Sequence, residues 1–135
     1  MDEKLPDLMQ IVVFSGYAVA AIVMLLVTQT KQRVAWPGWL VPAVMFVAFT
    51  IWTGLALARE DLRTVWPVLT GSFWGVQLWY DFLISLTAAF FLLQNRARAA
   101  GMKSEIWVLL VIFTGSIGLL LMLARTLYLE RKASD

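Results

Sequence analysis

One acidic side chain stands inside an apolar segment of this chain: Asp81, with at least ten mostly apolar residues on either side. Gln77, Asp81 and Ser85 follow one another at four-residue spacing, which in a helix lines all three along one face. A carboxylate in hydrocarbon costs at least about 2.5–3.5 kcal/mol on insertion scales, so it is expected to face a bundle interior and to have a partner. Arg125, in the next apolar segment, is the obvious one. If the two helices are antiparallel, the axial offset between the backbones is about 11 Å, which a long side chain or a small slide between helices closes. Snorkelling outward to the interface is equally open to the arginine. Three kinds of chemistry are then available to Asp81. It can form a structural ion pair or act as a neutral hydrogen-bonded acid, it can contact a ligand, or it can couple a proton or cation to transport.

Missing residue types narrow the field. The chain has no His and no Cys, which removes imidazole-ligated haem, Cys/His zinc sites, iron–sulfur clusters, disulfides and the Ser–His and Cys–His nucleophile pairs. A carboxylate-only metal site needs several acids together, and the apolar segments hold just one, so no metal site is expected. The net charge of +2 comes without a dense Lys/Arg cluster, and no nucleic-acid partner is expected.

Seven tryptophans in 135 residues are the other unusual feature. Trp36, Trp39, Trp66, Trp107 and Tyr128 lie at predicted helix ends, where an interfacial belt accounts for them. Trp52, Trp74, Trp79 and Tyr80 lie deeper. They either fill the bundle core or face lipid, or they line a cleft for a flat apolar ligand such as a lipid, carotenoid or quinone.

The elements that must position these residues follow from composition. Hydrophobic residues make up 61% and charged residues 15% of the chain, far from the roughly 45–50% and 25% of soluble domains, and a soluble fold of this length could not hide so much apolar surface. Four apolar stretches, about residues 8–28, 39–58, 66–93 and 106–129, each reach the roughly 20 residues that a helix needs to cross a bilayer. The first is preceded by the acidic flank MDEKLPD and is too long for a cleavable signal peptide. Helices satisfy their own backbone groups in lipid, and short connectors join antiparallel neighbours. The expected fold is therefore all-α: a single domain over 1–135, an integral membrane four-helix bundle running up, down, up, down. Both termini then share one side, opposite the loop QNRARAAGMK. Lys and Arg are nearly balanced between the two sides, with a slight lean to termini outside, because the loop carries fewer acids. Close helix contacts are expected at small residues: Gly16 in the first helix, Gly54 in the second, Gly71 and Gly75 (a GxxxG match) in the third, and Gly115 and Gly118 in the fourth.

From Trp79-Tyr80-Asp81-Phe82-Leu83, through Phe113-Thr114-Gly115-Ser116-Ile117-Gly118-Leu119-Leu120, to Arg125, the chain resembles a family of small four-helix membrane proteins of bacteria, a domain of unknown function. It is also similar to a plant plastid four-helix family linked to neoxanthin formation, although Ser116 stands where that family has Pro. The resemblance covers about fifty residues. It implies a four-helix membrane fold in a bacterial inner membrane.

The leading functional expectation is a non-catalytic membrane protein. It would be an accessory or scaffold subunit that packs in the lipid bilayer against other membrane proteins or its own copies, and it could hold lipid or pigment. The alternatives are a small proton-coupled transporter acting as a homodimer through Asp81, and a lipid- or isoprenoid-modifying enzyme using Asp81 with Gln77, Ser85, Tyr80 or Arg125.

Overall fold

A computed structural model describes residues 4–29 and 38–134. Six α-helices and a 3-10 turn, with no strand among the described residues, make the protein all-α. The helices are α1 (Lys4–Gln29), α2 (Leu40–Arg59), α3 (Val65–Thr70), α4 (Phe73–Ala99), α5 (Ser104–Thr114) and α6 (Ser116–Ser134). Three of them, α1, α2 and α4, are long and apolar enough to cross a membrane. The chain divides into two compact units, Met1–Ala35 and Trp36–Asp135. The first unit contains the single helix α1, with exposed apolar side chains along Leu8–Leu25. Lys31, Arg33 and Trp36 lie outside the described residues.

In the second unit, α2 carries Pro42 in its first turn, where the missing N–H has no intrahelical acceptor to lose. Twenty residues at 1.5 Å rise make this helix about 30 Å long. A corner follows: the Asp61 carboxylate accepts from the Arg63 backbone N–H at 3.2 Å and caps a 3-10 turn at Leu62–Thr64.

The third apolar stretch is two helices rather than the one expected over 66–93. The chain breaks at Gly71-Ser72. Ser72 is extended, and its hydroxyl accepts from the Gly75 N–H at 3.0 Å, an N-cap that restarts the helix as α4. A Cβ at Gly75 would lie 2.6 Å from the carbonyl oxygens of both Val68 and Leu69. The GxxxG match therefore serves the turn between α3 and α4.

At its other end α4 continues through Gln94–Ala99, part of the expected loop QNRARAAGMK. Gln, Arg and Ala are good helix formers, and Arg96 and Arg98 in the last turn oppose the negative end of the helix dipole. The stop is Gly101, at φ 81. The Met102 N–H bonds back to Ala97 O and the Gly101 N–H to Arg98 O, both at 2.9 Å, the paired bonds of a Schellman motif, with Met102 and Ala97 both buried.

The fourth stretch does not form one crossing. Its only non-helical residue is Gly115, at φ 60 and ψ −125, a conformation open essentially to glycine alone. There the chain reverses. The Thr126 hydroxyl, buried, reaches the Met102 sulfur at 3.4 Å, and a Cβ at Gly118 would lie 2.9 Å from Leu110 O. In a continuous helix, residues 102 and 126 would be about 36 Å apart. So α5 and α6 form a tight antiparallel hairpin, and α5, about 16 Å long, reaches only halfway through a hydrocarbon layer of about 30 Å.

Two contacts fix the direction of α6. Phe82 lies against Gly115, and Arg96 pairs with Glu130, so α4 and α6 advance together and are parallel. The C-terminal end of α6 therefore lies at the same end as the α4–α5 connector, whereas the straight bundle put them at opposite ends. Trp39, at the start of α2, meets Tyr128 edge to face at 5.7 Å, which places the N-terminal end of α2 there too. The core of the unit lies between α4, α5 and α6: Leu93, Ala97, Met102, Val111 and Met122, with Leu86, Phe90, Trp107, Leu119, Leu123 and Leu129 packed around them.

Candidate functional site

The inward face of α4 is set by apolar residues at helical spacing. Phe82, Leu86, Phe90, Leu93 and Ala97 turn towards α5 and α6. Gln77, Asp81 and Ser85 fall on the outward side, and all three are exposed. Among the described residues Asp81 has no ion pair and no hydrogen bond. Its neighbour Phe82 touches the turn of the hairpin: a Cβ at Gly115 would sit 3.0 Å from the Phe82 ring. Asp81 is thus level with the point where α5 ends and α6 begins.

Arg125 is not its partner. Because α4 and α6 are parallel, Arg125 lies about 15 Å further along the bundle than Gly115, beside the Thr126 that contacts Met102. It is exposed. Among the described residues the ion pair that does form is Arg96–Glu130, a two-pronged contact with Nε to Oε1 at 3.0 Å and Nη2 to Oε2 at 2.6 Å. Sequence reasoning missed it because the two residues are 34 apart and both lay in segments read as polar. Beside it, Arg98 Nε donates to Ser104 Oγ at 2.8 Å and ties the end of α4 to the start of α5.

The deeper aromatics do not converge. Trp74 and Tyr80 line one open groove on α4 with Phe73, Val76 and Gln77. Tyr80 continues into a second with Leu83, Ile84, Thr87, Ala88 and Phe91. Trp79 lies beside Phe82 at 5.8 Å between ring centres. Trp52 is on α2, is exposed, and lines neither groove. Trp107, expected in an interfacial belt, packs against the core instead.

The packing glycines divide into two groups. Gly71, Gly75, Gly115 and Gly118 each sit where an added Cβ meets an atom at 3.0 Å or less, all at chain breaks or in the hairpin. At Gly16 and Gly54 an added Cβ meets nothing within 4 Å among the described residues. No group of three or more metal-ligating side chains occurs among the described residues.

Compared with known proteins, the chain matches no family model, no curated protein and no solved structure.

Proposed function

We propose that this chain is a non-catalytic membrane subunit that docks against another transmembrane helix through the outward face of α4. The observation that carries this reading is Asp81, exposed and unpaired within the second unit at the level of the hairpin turn, with Gln77 and Ser85 on the same face. Left in lipid, that carboxylate carries the insertion cost of about 2.5–3.5 kcal/mol. A docked helix bearing a polar side chain lowers the cost by hydrogen bonding across the contact, and Gln77 and Ser85 extend the polar seam above and below it. The open grooves beside the seam suit an acyl or polyene chain lying along α4, so a lipid or pigment completes the same surface.

The test is a photo-crosslinking residue placed at Gln77 or, separately, at Leu86, followed by purification in mild detergent. A stoichiometric adduct from Gln77, none from Leu86, and loss of the adduct on Asp81→Leu support docking. A wild-type protein that runs as a bare monomer and gives no adduct at Gln77 removes the reading. An absorption spectrum of the same sample reads any pigment directly.

One observation favours a second reading, a proton-coupled transporter working as a homodimer. A helix that breaks at mid-depth beside a carboxylate is a common way to build a coupling site, and the Gly115 break touches the neighbour of Asp81. In reconstituted vesicles this reading requires that Asp81→Asn abolish substrate-driven proton flux.

A further inference from the structure

The hairpin redistributes charge along the fold. A straight fourth helix would leave Lys and Arg almost evenly divided between the two ends. With α6 turned back, Arg125, Arg131 and Lys132 join Arg96, Arg98 and Lys103 at one end of the second unit, where the carboxylates among the described residues are Glu105 and Glu130. The opposite end, between α2 and α3, has Arg59 and Arg63 balanced by Glu60 and Asp61. Glu130 is already engaged by Arg96, so the remaining five cations face one carboxylate among the described residues. Arg98, Lys103, Arg125, Arg131 and Lys132 are all exposed.

We propose that this end of the protein is a docking surface for the headgroups of anionic phospholipids, and that it therefore lies at the cytoplasmic leaflet with the C-terminal tail inside. Two further observations point to a lipid surface as the occupant. The Trp39–Tyr128 edge-to-face pair sits at this same end, and such aromatics prefer the headgroup level. The cations also come from three separate segments, the end of α4, the start of α5 and the second half of α6. That is the arrangement in which basic side chains meet the phosphates of surrounding lipids. Arg96 is not counted in the surface, because the Glu130 carboxylate already neutralises its charge. The positive-inside bias acts in the same direction and gives the orientation.

The experiment uses the full chain in mixed micelles of phosphatidylglycerol and phosphatidylcholine, with retained lipid read by native mass spectrometry. The wild type is expected to retain phosphatidylglycerol over phosphatidylcholine by about tenfold, and rising salt should reduce that preference. The variant Arg98→Gln/Arg125→Gln/Arg131→Gln/Lys132→Gln should fall to parity, its Arg→Lys counterpart should keep the preference, and Arg59→Gln/Arg63→Gln should leave it unchanged. Equal retention of both lipids by the wild type, an unchanged preference in the fourfold variant, or full displacement by inorganic phosphate overturns the proposal. Orientation is read separately with single cysteines, since the chain has none of its own. A thiol at Ser134 should react with a membrane-impermeant maleimide only after cells are opened, and one at Thr64 in intact cells. The reverse pattern overturns the assignment.

Discussion

The hydroxyl of Thr126 donates to Met122 O at 2.8 Å and packs against the sulfur of Met102 at 3.4 Å across 24 residues of sequence, with both Thr126 and Met102 buried. This contact defines the architecture of the C-terminal third. It can exist only if the chain reverses between them, and Gly115 is the one residue that separates α5 from α6.

Cross-linking checks the reversal directly. A protein carrying Met102→Cys and Thr126→Cys should link in high yield under oxidation or with a short bifunctional thiol reagent. The pair Met102→Cys and Thr114→Cys should not, because α5 holds those positions about 18 Å apart. In a straight fourth helix the first pair would be the more distant of the two.

Gly115 should tolerate no side chain. Alanine there meets an unfavourable backbone conformation, at about 1–3 kcal/mol, and places its Cβ 3.0 Å from the Phe82 ring. Thermal unfolding of Gly115→Ala in detergent, followed by helical circular dichroism, should show a clear loss of stability. Gly54→Ala, whose Cβ meets nothing within 4 Å among the described residues, should be neutral or slightly stabilising.

Met122 is fully buried in the core. Met122→Ala leaves a cavity between α4, α5 and α6 and is expected to cost about 2–5 kcal/mol. An equally large change for Met24→Ala, whose side chain is 63% exposed, would show that burial is not the cause.

The Arg96–Glu130 pair is two-pronged, but its side chains are 53% and 35% exposed, so solvent screens it. A double-mutant cycle with Arg96→Gln and Glu130→Gln should give a coupling of about 0.2–1 kcal/mol that shrinks with added salt. A coupling that did not respond to salt would contradict the exposure of the pair.

Composition and run length were enough to read the all-helical fold and the presence of helices long and apolar enough to cross a membrane, because hydrocarbon leaves backbone polar groups no partner outside a helix or barrel. The first two apolar stretches match α1 and α2 closely, with Pro42 at the start of α2 where its ring is tolerated. The alignment of Gln77, Asp81 and Ser85 on one face was also legible, since it depends on helical periodicity alone. Which way that face points was not: a polar stripe implies a partner, and the core was built by the opposite face of α4. The Schellman stop at Gly101 has a local signal, a glycine just past a run of helix formers, which hydropathy does not record. Gly115 looked like a packing residue within a continuous apolar run, because hydropathy records solvent preference and carries no backbone angle. Its reversal depends on close contacts with Phe82 and between Gly118 and Leu110, which are long-range and exist only once the helices have packed. That packing brings Glu130 to Arg96, separates Arg125 from Asp81, and gathers the positive charge at one end.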